Sequence, residues 1–125
     1  MYILDTHTLL WFFDEAENLS SRVKNIIESE SELFVSIITF WEIAIKQNIG
    51  KLKIEQSPSD LMLLTEQQKI GILQISAKHL DVIKTLEKIH CDPFDRFIIA
   101  QAQCENLTIL TRDSIIPQYK VKTLW

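Results

Sequence analysis

Two apolar, strand-like segments of the chain each lead to an aspartate. The N-terminal segment is followed directly by Asp5, and the segment that begins at Leu107 leads to Asp113. Two further acids, Glu42 and Asp95, lie within apolar helical segments at positions that face a core. Ionised carboxylates are rarely buried unless a partner neutralises them. Acids in these places therefore imply a cation between them, and a divalent metal ion is the candidate.

Helical spacing places Glu42 and Asp95 on apolar stripes, because residues three, four and seven positions apart share one helix face. Asp92 lies almost one turn before Asp95. We therefore expect the acids to converge above a sheet, where mutual repulsion raises their pKa values unless a cation neutralises them. Oxygen ligands alone favour Mg²⁺ or Mn²⁺ over zinc. The stripes are Ile38, Trp41, Glu42, Ile45 and Ile49 in one helix, and Asp95, Ile98, Ile99 and Ala102 in the other.

Helix capping is the alternative role for each of these acids, since a side-chain oxygen before a helix can accept a bond from its first free amides. Asp92 fits it best, because Pro93 follows at the first helical position. The other capping candidates are Asp5 before a helix at Thr6, Thr39 with Glu42 in a capping box, and Asp113 before a turn at Pro117.

Strands alternate with helical stretches along the chain, which predicts an α/β fold with a parallel sheet covered by helices. Ligands of such sheets bind beyond the carboxyl ends of the strands, where Asp5 and Asp113 lie. Strands are predicted at 1–5, 33–37, 71–75, 107–111 and 121–125. Two helices are predicted before the second strand, one over 6–14 and one that begins at 19. A third lies between the second strand and Gly50, and a fourth begins at 57–58. The last two are predicted over 77–89 and from 92 to about 105.

The composition predicts one globular domain, residues 1–125. A hydrophobic content of 46% can form a core, and two glycines and three prolines leave no flexible linker. No apolar run approaches the roughly 20 residues that span a membrane, and the N-terminus lacks a secretion signal. Cys91 and Cys104 lack metal-site spacing, so we expect reduced thiols in a cytoplasmic protein.

The formal net charge of -4 argues against a general nucleic-acid coat, which is usually basic. It does not exclude an enzyme that meets phosphate through a metal ion and a few cations. Lys46, Lys51 and Lys53 follow Glu42 and are candidates for a local cationic patch. The alternative is that these lysines are ordinary solvated surface residues.

Four motif segments follow one another over essentially the whole chain: 4–11 (LDTHTLLW), 36–46 (SIITFWEIAIK), 92–102 (DPFDRFIIAQA) and 108–113 (TILTRD). Together they resemble the PIN-domain nucleases, and more narrowly the VapC toxins of bacterial toxin–antitoxin pairs. The resemblance implies an α/β/α sandwich around a central parallel sheet of four to five strands.

The resemblance also implies a Mg²⁺-dependent endoribonuclease, in which Mn²⁺ can substitute and a metal-activated water hydrolyses RNA. It assigns Asp5, Glu42, Asp95 and Asp113 as catalytic residues and metal ligands. Asp92 is a further acid of this motif and is included as a metal ligand, with helix capping as its alternative role.

Three partners are implied by the same resemblance: an RNA substrate, a cognate antitoxin protein that binds near the active site, and a second copy of the chain in a homodimer. The apolar run from Leu9 to Phe13 offers the antitoxin a docking surface. Burial of that run under the second helix is the alternative.

Polar residues beside the acids are weaker candidates. Thr6, Ser36 and Thr111 are expected to orient carboxylates or metal-bound water, although Ser36 also fits a helix cap. Arg112 is expected to meet RNA phosphate or to pair with an acid, and Arg96 is expected to pair locally. We expect structural or surface roles for His7, His79 and His90, and core or interface positions for Trp11, Trp41 and Trp125.

Three other functions compete with the nuclease. A non-catalytic PIN-fold module that binds RNA or protein requires the acids to act only as helix caps. A histidine-based ribonuclease would keep its activity in EDTA and would leave cyclic phosphates. A receiver-like signalling domain is disfavoured, because Asp5 stands alone after the first strand and Arg112 follows Thr111 where a lysine is expected.

Overall fold

A parallel sheet forms the centre of the computed structural model, which describes residues 1–29 and 32–125. Within these residues its strands are β1 (Tyr2–Leu4), β2 (Leu33–Ser36), β3 (Gly71–Leu73), β4 (Thr108–Leu110) and β5 (Thr123–Leu124). Their order across the sheet is β3-β2-β1-β4-β5. Each neighbouring pair is parallel, which agrees with the prediction and requires crossover connections.

Helices make most of these crossovers. They are α1 (Thr6–Phe13), α2 (Ser21–Ser29), α3 (Ile37–Asn48), α4 (Pro58–Gln67), α5 (Ala77–Thr85) and α6 (Pro93–Glu105). Local sequence fixes several of their ends. Ser57 and Asp60 form a capping box at the start of α4. Asn106 ends α6 in the left-handed conformation, with φ at 55°.

Side chains on both faces of the sheet are buried, so the α/β/α sandwich is confirmed. Successive residues of a strand point to opposite faces, and Leu4 and Leu110 pack with residues of α1 to α4. Their neighbours Ile3 and Ile109 pack on the other face with Ile98 of α6 and residues near it. The central strands are therefore continuous apolar runs, as expected for a sheet that is covered twice.

The register of β1 and β4 places the chain segments that follow them side by side. Leu4 pairs with Leu110, so Asp5 and Thr111 leave the sheet as neighbours at its carboxyl edge. Strand β2 pairs with β1 on the other side, and Ser36 at its end is the N-cap residue of α3. The centre of this edge is where predicted acids from distant parts of the sequence meet.

Helix α5 ends at Thr85, so the prediction of a helix up to residue 89 was wrong. Leu86 is extended, with ψ at 136°, and the carbonyls that follow accept hydrogen bonds from a side chain instead of helix amides. Arg96 donates to Leu86 O at 3.3 Å and to Glu87 O at 2.8 Å. A contact from α6, distant in sequence, thus replaces the last turn of α5.

Across the described parts of the chain, we find no helix whose length and apolar character would suffice for a membrane crossing.

Candidate metal centre

Asp5 lies at the carboxyl end of β1 and is almost fully buried. Its Oδ1 accepts hydrogen bonds from the backbone N–H and the hydroxyl of Thr8, at 2.9 and 2.6 Å. Its Oδ2 accepts a short hydrogen bond from the hydroxyl of Thr111. Burial raises the pKa of Asp5 above its usual value, although these hydrogen bonds act in the opposite direction. Asp5 is thus both the N-cap of α1 and a rigidly held carboxylate of the site.

Glu42 projects from α3 into the same region and is only 2% exposed. Thr6 donates to its Oε1 at 2.6 Å, and Lys46 donates to its Oε2 at 2.5 Å. Burial acts to lower the pKa of Lys46, but the hydrogen bond and the charge of Glu42 outweigh it and leave that pKa above its usual value. Helical periodicity therefore placed Glu42 correctly.

The alternative role of Thr39 and Glu42 in a capping box is excluded. Helix α3 begins at Ile37, and the hydroxyl of Ser36 accepts from Ile38 N–H at 3.1 Å. Thr39 lies inside the helix, where its hydroxyl accepts a hydrogen bond from Thr6 at 3.2 Å.

Asp92 and Asp113 each use one carboxylate oxygen to cap a helical turn. Asp92 Oδ1 accepts from the amides of Phe94 and Asp95, at 2.8 and 3.2 Å. Asp113 Oδ1 accepts from the amides of Ile115 and Ile116, at 2.7 and 3.0 Å. Burial acts to raise the pKa of Asp113, but these two bonds and His90 outweigh it and hold that pKa below its usual value.

His90 lies between Asp95 and Asp113, although the sequence suggested only a surface or loop position. Its side chain is 9% exposed, and its Nε2 lies 3.2 Å from Oδ2 of Asp95 and 3.2 Å from Oδ2 of Asp113. Ligand atoms of these three residues lie within 4.8 Å of one another. The sequence feature that could have indicated a place in the site for His90 is its position two residues before Asp92.

The carboxylates of the site interact strongly, and Asp95 carries the clearest sign of it. Burial, followed by the charges of Asp92, Asp5, Glu42 and Asp113, raises the pKa of Asp95 to about 8. The protein's own cations therefore leave negative charge uncompensated. All the acids offer oxygen ligands, a donor set that fits Mg²⁺ or Mn²⁺. The residues that would hold such an ion are Asp5, Glu42, Asp95 and Asp113, with Asp92 beside them.

The weaker candidates around the acids lie in different places. Thr6 and Thr111 donate to Glu42 and Asp5, as described above. Ser36 caps α3 and, within residues 1–29 and 32–125, forms no hydrogen bond to a carboxylate. Arg112 is exposed and lines, with Asp5 and Asp113, a cavity of about 380 Å³ that opens beside the site.

Among the described residues, Arg96 pairs with no acid, contrary to the prediction. It binds carbonyls of the 86–90 loop and contacts the hydroxyl of Tyr119 at 3.3 Å. That hydroxyl accepts from the backbone amides of Ile89 and His90, at 3.0 and 2.7 Å. Arg96 and Tyr119 therefore fix the loop that carries His90 to the carboxylates.

Trp41 is 59% exposed, so of its two predicted positions, core or interface, the core is excluded. The same helix stripe leaves Ile49 exposed. Trp41 packs edge-on against Phe94, with ring centroids 5.4 Å apart. Because Trp41 precedes Glu42 and Phe94 precedes Asp95, this aromatic pair borders the acidic site.

The raised pKa of Asp95 predicts a pH-dependent loss of stability in the metal-free protein. An unfolded chain loses this proton near pH 3.9, whereas the folded protein keeps it until about pH 8. Stability therefore falls as pH rises through this interval. We expect Asp95→Asn to be more stable than wild type by roughly 2 kcal/mol at pH 8, and by much less at pH 4.5.

Urea unfolding in EDTA at both pH values measures this difference. Asp81→Asn removes an exposed carboxylate from α5 and serves as the matched control, with no stabilisation expected. If Asp95→Asn is less stable than wild type at pH 8, the carboxylates do not repel one another as described.

Comparison with known proteins agrees with this fold. The PIN domain family model matches residues 2–122, whereas no curated protein matches the chain. The fold is similar to a toxin-antitoxin complex from Klebsiella pneumoniae, with 17% identity, a TM-score of 0.67, and 100% of this chain and 97% of that chain covered. It is also similar to VapBC2 from Rickettsia felis bound to a promoter DNA fragment, with 18% identity, a TM-score of 0.72, and coverage of 98% and 96%.

FitAcB from Neisseria gonorrhoeae gives 19% identity and a TM-score of 0.70, with 100% of this chain and 97% of that chain covered. These likenesses concern the fold. The family model spans nearly all of the sequence, and with it the five acids and the strands that carry them. The chain belongs to the PIN domain family.

Proposed function

We propose that this protein is a Mg²⁺-dependent endoribonuclease of one domain, residues 1–125, and the toxin of a cytoplasmic toxin–antitoxin pair. The observation that carries the proposal is the convergence of buried and partly buried acids around Asp95, whose pKa is raised to about 8 by burial and by its acidic neighbours. Helix capping explains the positions of single acids. It does not explain why the charges of four carboxylates act on a fifth, Asp95. Perturbed acids of this kind cluster at functional sites.

The implied reaction is hydrolysis of a phosphodiester bond. Mg²⁺ or Mn²⁺, held by Asp5, Glu42, Asp95 and Asp113, would lower the pKa of a water molecule and neutralise charge on the phosphate. Water attacks phosphorus in line, and the bond to the 3′ oxygen breaks, which leaves a 5′-phosphate and a 3′-hydroxyl. Asp5 and Glu42 enter this reaction already oriented, because Thr8, Thr111, Thr6 and Lys46 hold their oxygens.

An apolar groove beside α1 supports the antitoxin part of the proposal. Leu10, Trp11 and Phe13 of α1 remain only half-buried, and with Leu61 and Leu64 of α4 they line a groove of about 540 Å³. Only Leu9 of the run from Leu9 to Phe13 is fully buried, so the alternative of complete burial does not hold within the described residues. An apolar segment of an antitoxin fits such a groove. The complexes of similar fold from Klebsiella pneumoniae and Rickettsia felis contain antitoxins.

We also propose that the toxin forms a homodimer.

Substitution of Asp5 tests the enzyme directly. Asp5→Asn keeps the shape and removes the charge, so we expect Mn²⁺ binding to weaken at least tenfold and RNA cleavage to fall by more than about 100-fold. Calorimetry with Mn²⁺ and sequencing of RNA 5′ ends in bacteria that express each variant provide the two measurements.

Asp81→Asn, which changes an exposed carboxylate in the same way, should leave both properties unchanged. Growth arrest of equal strength by wild type and Asp5→Asn would contradict the nuclease. That result would favour a non-catalytic module of the same fold, which binds RNA or protein.

The aromatic pair of Trp41 and Phe94 supports single-stranded RNA as the substrate. Unpaired bases stack on exposed aromatic rings, whereas bases inside a duplex are not accessible. Base–aromatic stacking contributes about 1–3 kcal/mol for each base. We therefore expect Trp41→Ala to lower kcat/KM for single-stranded RNA roughly 5- to 100-fold while Mn²⁺ binding is unchanged.

Leu63→Ala is the control for this experiment, because Leu63 is 58% exposed on α4 and Trp41 is 59% exposed on α3. Sedimentation of both variants reports the oligomeric state. If Trp41→Ala dissociates a dimer and leaves cleavage by the monomer unchanged, Trp41 belongs to a protein interface and not to the RNA site.

A further inference from the structure

We propose that His90 is a positioning residue of the metal centre, which donates its Nε2–H to the carboxylate of Asp113 beside that of Asp95 and does not bind the metal itself. The proposal rests on the metal site of the proposed function. It goes beyond that site because His90, Asp95 and Asp113 would otherwise be taken as a ligand triad, given that their ligand atoms lie within 4.8 Å of one another.

The hydrogen bond at the other ring nitrogen decides between these roles. The backbone N–H of Asp92 donates to Nδ1 of His90 at 3.1 Å, so Nδ1 must present its lone pair. In a neutral imidazole the proton is then on Nε2. Nε2 lies 3.2 Å from Oδ2 of Asp113, which accepts a hydrogen bond from it. Oδ2 of Asp95 lies at the same distance from Nε2, as a neighbouring negative charge.

A metal-binding histidine requires the opposite arrangement. Its ligating nitrogen carries the lone pair, and its other nitrogen donates to a carbonyl or a carboxylate. If Nε2 of His90 bound a metal ion, Nδ1 would carry the proton and would face the N–H of Asp92. Asp92 is the N-cap of α6, with bonds to Phe94 and Asp95, so its amide is held in place.

The loop around His90 is fixed from the side opposite the carboxylates. The backbone N–H of His90 donates to the hydroxyl of Tyr119 at 2.7 Å, and that hydroxyl donates to Glu87 O at 2.8 Å. Arg96 binds Glu87 O as well, at 2.8 Å. The Nε2–H donor is therefore held at a defined place between Asp95 of α6 and Asp113 of the segment after β4. It sets the separation of these two acids before any cation binds.

Nuclear magnetic resonance of the metal-free protein with ¹⁵N-labelled histidine tests the tautomer. We expect long-range ¹H–¹⁵N correlations to show His90 protonated on Nε2. His79 is an internal reference, because its Nδ1 accepts from Ser76 N–H at 3.1 Å and its Nε2 lies 3.1 Å from Glu105. A proton on Nδ1 of His90 would overturn the inference, whatever the metal does.

Pulsed electron paramagnetic resonance of the Mn²⁺-loaded protein tests the ligand set. We expect no coupling from a directly bound histidine nitrogen when ¹⁴N- and ¹⁵N-histidine samples are compared. A directly bound nitrogen that disappears in His90→Gln would overturn the inference and leave the nuclease proposal intact. Failure of the wild type to bind Mn²⁺ would overturn the proposed function, while the tautomer measurement would still decide the role of His90.

Variants at His90 separate positioning from general stability. Loss of such a supporting partner lowers metal affinity about 10- to 100-fold, and we expect this loss for Mn²⁺ in His90→Ala. The amide nitrogen of glutamine can reach the place of Nε2, so His90→Gln should recover affinity to within about threefold of wild type. Equal weakening in His90→Gln and His90→Ala, with both folds intact by circular dichroism, would contradict the positioning role.

Discussion

Repulsion among carboxylates at the carboxyl edge of the sheet is the constraint on which the rest of this structure depends. Burial and four negative neighbours raise the pKa of Asp95 to about 8. The fold keeps this arrangement because separate elements hold each acid from outside. Thr8 and Thr111 bind Asp5, and Lys46 is the cation on Glu42. A divalent cation at this place would remove the repulsion among the carboxylates.

Capping and function are not alternatives in this protein. Asp92 and Asp113 each give Oδ1 to the amides of a following turn. Capping therefore fixes the orientation of each carboxylate through one oxygen and leaves its second oxygen outside the cap. In Asp113 that second oxygen lies beside His90. The capping interactions that the sequence suggested are part of how the site is built, because they remove the rotational freedom of the acids.

The fold and the buried acids could be predicted from sequence because their causes are local or periodic. Residues that follow apolar strands reach the carboxyl edge of a parallel sheet, as Asp5 does, and helical spacing turns Glu42 inward. The same periodicity failed for Trp41, which adjoins Glu42 on the helix but lies outside the buried face. His90 could not be placed, since its position depends on Arg96 and Tyr119, which replace the last turn of α5 through contacts that no local pattern encodes.

Anomalous diffraction from crystals soaked with Mn²⁺ at neutral pH tests the central claim most directly. We expect a peak between Asp5 and Asp95, about 2.2 Å from carboxylate oxygens, with the nitrogen of His90 outside bonding distance. Mn²⁺ found only elsewhere on the molecule, while the carboxylates keep the positions described above, would show that their repulsion is tolerated without a metal ion.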